Sequence, residues 1–145
     1  MSGTELKIAE FQSAEQLASI ELRRRILRTP LGLDFTAEQL AEERDELHLV
    51  AMQDQNVIAC LVLTPQENQA IKMRQVAVEP AHQGQGIGRE LVEFSEKVAK
   101  DKGFTRMVLH ARDTAVPFYL HLDYDIEGEP FEEVTIPHRR MAKAL

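Results

Sequence analysis

Val76-Ala77-Val78-Glu79-Pro80-Ala81-His82-Gln83-Gly84-Gln85-Gly86-Ile87-Gly88-Arg89 is the stretch on which the reading of this chain turns. An apolar run stops at Pro80, and a glycine-dense loop follows. From Ile87 the apolar residues Ile87, Leu91, Phe94 and Val98 recur at helical spacing. The order is strand, glycine loop, amphipathic helix. Glycines let successive backbone N–H groups turn into one concave site. The helix start adds unpaired N–H groups and a positive dipole end, so the natural ligand is a phosphate or pyrophosphate. Two familiar phosphate loops are excluded. A Walker A loop needs Gly-Lys-Ser/Thr, and this one ends Gly88-Arg89-Glu90; a dinucleotide fingerprint needs a third glycine where Arg89 stands. The competing reading is a helix cap with spare glycines. Each extra glycine raises the cost of ordering by roughly 0.5–1 kcal/mol relative to alanine, and one turn does not need three of them.

Outward from this loop the chain reads as mixed α/β. Leu6 and Ile8 alternate with polar residues and predict a strand over residues 4–11. Ser13 with Gln16 is a capping-box pair opening a helix to about Arg28, with Leu17, Ile20 and Leu27 as its apolar stripe. Pro30 and Gly32 end it. Thr36 with Gln39 opens a short helix over 36–44. Leu47–Met52 and Val57–Thr64 predict a hairpin about a turn at 54–56, and Ala70–Val78 predicts a third strand. Gly103 fits the C-cap of the central helix. A strand over Thr105–Ala111, a short helix over Asp113–His121 and strands over 123–129 and 133–142 complete the order β-α-α-β-β-β-α-β-α-β-β. A parallel pair across the glycine loop needs a right-handed crossover.

The chain has 145 residues, fitting one domain over 1–145, with no linker, repeat or low-complexity tract. It carries 24 acidic and 17 basic residues, a net charge of −7, which argues against general nucleic-acid binding. No apolar run approaches the ~20 residues of a membrane span, and the first residues lack a signal-peptide pattern, so the expectation is a cytoplasmic protein without a membrane partner. The single cysteine, Cys60, excludes an internal disulfide, and no His, Cys or carboxylate spacing suggests a metal site. Cys60 lies in an apolar strand and reads as buried and inert. No Gly-x-Ser-x-Gly elbow occurs.

Gln83-Gly84-Gln85-Gly86-Ile87-Gly88, set between the fourth strand and the third helix, resembles the acetyl-CoA loop Arg/Gln-x-x-Gly-x-Gly/Ala of the GCN5-related N-acetyltransferases. Downstream, Ala115-Val116-Pro117-Phe118-Tyr119-Leu120-His121-Leu122-Asp123-Tyr124 resembles that family's A-x-x-F-Y-x-x-x-G-F/Y. The resemblance runs from Leu6 to Met141. The ending Glu133-Val134-x-Ile136-Pro137-His138-x-x-Met141 looks most like the small bacterial ElaA-like branch. It implies a one-domain acetyl-CoA-dependent N-acetyltransferase that moves acetyl directly to a primary amine in a ternary complex. The amine would belong to a small molecule or a lysine side chain, and homodimers are frequent in the family. The alternative is a non-catalytic acyl-CoA sensor or interaction module on the same fold.

The resemblance also assigns roles. The pantetheine arm would pair like an added strand with the backbone of Val76, Ala77 and Val78, in a cleft opened by a splay from the Thr105–Ala111 strand. The Val78 N–H would donate to the thioester carbonyl. Gln83, Gly84, Gln85, Gly86, Ile87 and Gly88 would hold the pyrophosphate, with Arg89 close enough to assist. Tyr119 matches the tyrosine that faces the sulfur as general acid, a task suited to a group protonated at neutral pH. Its alternative is a core aromatic with a satisfied hydroxyl. Phe118 reads as packing and joins the cofactor-binding set. Two departures stand out. Asp123 replaces the glycine before the final aromatic, and Arg112-Asp113 occupy the place where many relatives carry an asparagine.

The general base stays open among Glu79, His110 and His138, each of which also has a plain structural reading; His48 and His121 have weaker claims. Half of the acids lie in residues 34–46 and 121–134, segments that the resemblance places beside the acceptor cleft. Asp123, Asp125, Glu127 and Glu129 share one face if their strand is regular. This suggests a cationic acceptor drawn by long-range attraction; the competing reading is a solvated outer face that blocks edge pairing. Arg23, Arg24, Arg25 and Arg28 read as a solvated face of the first helix.

Overall fold

Pro80 and the glycines after it end one strand and release the chain into its longest helix, a junction central to the computed structural model, which describes residues 3–145. The elements are β1 (Glu5–Ala9), α1 (Ala14–Arg23), α2 (Ala37–Ala41), β2 (Leu47–Gln53), β3 (Asn56–Pro65), β4 (Ala70–Val78), α3 (Ile87–Asp101), β5 (Arg106–Arg112), α4 (Val116–Leu120), β6 (Asp125–Glu133) and β7 (Ile136–Ala144). The expected mixed α/β order is observed. The chain forms two compact units: one runs up to Thr64 and takes in Gln75–Ser95, the other comprises Pro65–Arg74 and Glu96–Leu145. Strand β4 and helix α3 each contribute to both.

In the first unit β1 pairs antiparallel with β2 from Glu5↔Met52 to Ala9↔His48, and β2 pairs antiparallel with β3 from Leu47↔Leu63 to Gln53↔Asn56. The hairpin turns at Asp54-Gln55, both left-handed at φ 49° and 67°. His48–Ala51 and Ile58–Leu63 are buried without interruption, so these strands are apolar on both faces. Each fully buried Leu or Val here contributes about 1.5–3 kcal/mol. One core cluster joins Ala9, Leu22, Val50, Cys60 and Ala77.

Helix α1 departs from its sequence reading in three ways. The Ser13 hydroxyl accepts from Gln16 N (3.2 Å) as expected, but Gln16 Oε1 reaches back to Gln12 N (2.9 Å), one residue short of a reciprocal box. Leu17 is 51% exposed, whereas Ile20 and Leu22 are buried, so the stripe is rotated from the one expected. Regular helix stops at Arg23, and Arg24–Arg28 form a π turn before Gly32, at φ 70°, ends the segment. Arg25 keeps the expected exposure, with 52% of its side chain open to solvent, whereas Arg24 and Arg28 are half-buried. Arg23 is fully buried and forms a two-point pair with Glu43, Nη1 to Oε1 at 2.8 Å and Nη2 to Oε2 at 2.7 Å. Arg23 and Arg28 both lie over the Phe35 ring, at 4.6 and 4.8 Å. The Thr36–Gln39 capping box forms in full.

In the second unit Ala70–Met73 of β4 pair parallel with Arg106–Leu109 of β5; β5 pairs antiparallel with β7, and β7 with β6, giving the bonded order β4-β5-β7-β6. The last hairpin is displaced from its expected place. Residues 130–132, left between the two expected strands, lie inside β6, where Gly128 (φ 71°) marks an irregularity between Glu127 and Phe131. The chain turns instead at Val134-Thr135, left-handed at φ 47° and 64°, a conformation that β-branched residues seldom signal. The bulge breaks the regular alternation expected of Asp125, Glu127 and Glu129.

Candidate active site

In the first unit the end of β4 is held from both sides. Glu79 N donates to Ile58 O (2.8 Å), which continues the ladder, and His82 N donates to Glu79 O (2.8 Å), which starts a single 3-10 turn over Pro80–His82. Gln83 Nε2 then donates to Val78 O (3.1 Å). The first residue of the loop motif thus ties the last carbonyl of the strand, next to the Val78 amide named as a carbonyl donor. Gly84 and Gly86 take φ of 79° and 83°, and a Cβ at either would stand in open space. Glycine is needed there for backbone conformation alone. The first bond into α3 is Glu90 N to Gly86 O (3.0 Å), so the amides of Ile87, Gly88 and Arg89 belong to the unpaired first turn. Arg89 is exposed and pairs with Glu93 at 3.4 Å. Ala77 is buried in the core, and Val76 and Val78 are half-buried. Gln75 stands at φ 57°, just past the Ala70–Met73 stretch that pairs with β5.

Glu79 is gripped by Arg25, Nη1 to Oε1 at 2.8 Å and Nη2 to Oε2 at 3.0 Å. Hydrogen bonding from Arg25 holds the Glu79 carboxyl below its ordinary range, and the same bonds raise Arg25. A carboxylate so held is a weaker proton acceptor than its place at the strand end suggested.

In the second unit Tyr119 is buried in α4, edge-on to Phe118 (5.0 Å) and Tyr124 (5.7 Å). Burial pushes its phenol upward, so it stays protonated throughout the neutral range. Tyr124 donates its hydroxyl to Glu96 Oε2 (2.8 Å), and Lys143 pairs with the other oxygen at 3.0 Å. Asp123 takes φ 70°, the left-handed geometry that the family's glycine would supply. Leu122 N and Tyr124 N both donate to Tyr119 O, at 3.0 and 3.1 Å, so the turn closes despite the substitution. Asp is among the few residues that enter this region readily.

His110 and His138, named separately, share one carboxylate. Glu133 Oε1 accepts from His110 Nδ1 (3.0 Å), and Oε2 lies 3.7 Å from His138 Nε2. His138 is buried and its Nδ1 bonds Ile136 O at 2.7 Å. Phe131 meets His110 edge-on at 5.0 Å and stacks against His138 at 5.9 Å. Desolvation works against the Glu133 charge, yet the hydrogen bond from His110 and the nearby histidines and Lys72 leave its carboxyl below its ordinary value. Sequence reasoning gave Glu133 no part in orienting a base, because its partner register depends on the unexpected Val134-Thr135 turn. It also missed Arg25, Arg23 and Glu43, whose pairing depends on the π turn.

The acidic stretches are partly neutralised. Asp34 pairs with Arg24 (2.6 Å) and Glu43 with Arg23; Glu127 pairs with Arg106 and, at 3.3 Å, with Arg140. Asp123, Asp125, Glu129 and Glu132 remain exposed. Among the described residues no cluster of three or more His, Cys, Asp or Glu is arranged to hold a metal ion.

The mixed α/β order, with its glycine loop at a strand–helix junction, is that of an acyl-CoA N-acyltransferase fold. Residues 11–124 match the model of the acetyltransferase (GNAT) family, and the chain belongs to that family. By class it is an N-acetyltransferase. The uncharacterized Bacillus subtilis (strain 168) protein YyaT is 29% identical, over 72% of this chain and 76% of its own length. A candidate N-acetyltransferase from Lactobacillus plantarum superposes with a TM-score of 0.87 at 25% identity, covering 98% of each chain. Escherichia coli ElaA superposes at 0.82 with 19% identity, covering 97% of this chain and 99% of its own, which is a likeness of fold. An aminoglycoside 6'-N-acetyltransferase solved with coenzyme A superposes at 0.77 with 19% identity, covering 95% and 96%. No helix among the described residues is long and apolar enough to cross a membrane.

Proposed function

We propose that the chain, working as one domain, transfers acetyl from acetyl-CoA to a primary amine by direct attack in a ternary complex. The observation that carries this is the Gln83–Gly88 loop: left-handed Gly84 and Gly86 precede the unpaired amides of α3, and Gln83 is tied to Val78 O. Amides at a helix start suit the CoA pyrophosphate, with Arg89 adding charge. The backbone of Val76, Ala77 and Val78 takes the pantetheine arm.

The reaction needs a positioned thioester, a polarised carbonyl, a deprotonated amine and a protonated leaving group. The Val78 N–H polarises the carbonyl. The free amine attacks, the C–N bond forms and the C–S bond breaks. Tyr119, kept protonated by burial, gives its proton to the departing thiolate. Overall an ammonium and a thioester become an amide, a thiol and one released proton. The exposed Asp123, Asp125, Glu129 and Glu132 support a cationic acceptor. The buried state of Cys60 fits work in a reducing cytoplasm.

The test is turnover of acetyl-CoA against amines of graded charge. Acetylation of cationic amines supports the reading. Preference for neutral or anionic amines removes the cationic acceptor, and tight CoA binding without any acetylated amine replaces the enzyme by a sensor.

A further inference from the structure

We propose that His110 is the base that takes the proton from the acceptor ammonium, and that Glu133 is the positioning residue that aims it. This rests on the acetyl-transfer reading above.

A carboxylate can only accept, so the 3.0 Å contact between His110 Nδ1 and Glu133 Oε1 places the proton on Nδ1. In the neutral ring the lone pair is then on Nε2, directed away from Glu133. Phe131, edge-on at 5.0 Å, holds the plane of the ring. This is the base-and-orienter half of a catalytic triad, found by geometry rather than by sequence spacing. The two histidines are not equivalent. His138 has its Nδ1 committed to Ile136 O and a side chain only 5% exposed. The His110 side chain is 25% exposed and lines an open groove of about 670 Å³. Accessibility selects His110 as the group that meets the amine.

The surroundings favour deprotonation there. The groove is also lined by Lys72 of β4, Arg106 on the same strand as His110, Arg140 of β7 and Glu67 of the preceding loop. With Glu133 and the imidazole of His138, and Glu127 paired to Arg106 and Arg140, these are the charged and titratable groups facing His110. Burial holds the Lys72 ammonium below its ordinary value, with Arg74 and Arg140 adding to the effect against Glu133. An acceptor ammonium entering the groove meets the same penalty and gives up its proton more easily. The step balances: the R–NH3+ proton passes to His110 Nε2, leaving R–NH2 and an imidazolium whose charge is paired with Glu133, and the proton then passes to solvent.

The test compares wild type, His110→Gln, Glu133→Gln and Glu133→Asp in kcat and in KM for the amine, with CoA affinity measured alongside. The expected result is a loss on the order of 100-fold in His110→Gln at unchanged CoA affinity. Glu133→Gln should lose kcat by about 10-fold at unchanged CoA affinity, and Glu133→Asp, which can still accept from Nδ1, should recover most of that loss. A structural role alone would lower Glu133→Gln and Glu133→Asp alike, or weaken CoA binding with them. If wild type acetylates an amine while His110→Gln stays within twofold, or Glu133→Asp recovers no more than Glu133→Gln, the inference fails and acetyl transfer stands. If wild type acetylates no amine, both fail.

Discussion

Arg25 and Glu79 meet in a two-point ion pair, 2.8 and 3.0 Å, that ties the π turn after α1 to the last position before the glycine loop. Glu79 therefore serves as an anchor for that turn. The folded Glu79 carboxyl lies below its unfolded value. Its stabilising contribution is thus fully present above the ordinary carboxylate range and is lost as pH falls through the folded value. Both groups are partly solvated, and an Arg25→Gln variant should lose about 0.5 kcal/mol at pH 7, with the difference shrinking at a second, acid pH where Glu79 becomes protonated. Urea denaturation at the two pH values measures this.

The buried Arg23–Glu43 pair should weigh far more. Glu43→Ala leaves a guanidinium without its counter-charge in the core, at a cost of about 3–5 kcal/mol. Replacing both members by apolar residues should recover much of that loss. Denaturation midpoints of the two single variants and the double variant decide it; equal losses in the single and double variants would contradict the account.

Gly86→Ala tests the loop by backbone alone. The added methyl meets no atom within 4 Å, so any effect comes from φ 83°. The cost of the left-handed conformation is about 1–2 kcal/mol. A loop that relaxes out of it loses its concave amides, and CoA affinity, followed by calorimetry, should fall at least ~10-fold.

Cys60 should be unreactive in the native protein. Burial pushes its thiol up to about 12, and its Sγ lies among Ser19 O (3.7 Å) and Gln75 O (3.9 Å). A thiol-specific reagent at pH 8 should label it only as fast as the chain unfolds.

The element order, the glycine loop, the Thr36 box and the short helix with Tyr119 were legible in the sequence because each rests on local chemistry: periodicity, capping and punctuation. What escaped depended on backbone choices with weak local signals. Arg23 is buried at the end of α1, and Arg25 in the π turn pairs with Glu79, although four arginines on a helix suggest a solvated face. The hairpin turned at Val134-Thr135 rather than over 130–132, and that register brought Glu133 to His110. The acidic residues were counted correctly, but their partners come from neighbouring strands that sequence spacing does not reveal.

The most direct measurement follows free thiol release from acetyl-CoA with an accepted amine, in wild type and Tyr119→Phe, with CoA affinity determined for both. The account predicts amine-dependent release matched by acetylated amine, about 100-fold slower turnover in Tyr119→Phe, and CoA affinity within about twofold. Unchanged turnover in Tyr119→Phe would remove the general acid, and CoA binding with no acetylated amine from wild type would contradict the transfer reaction itself.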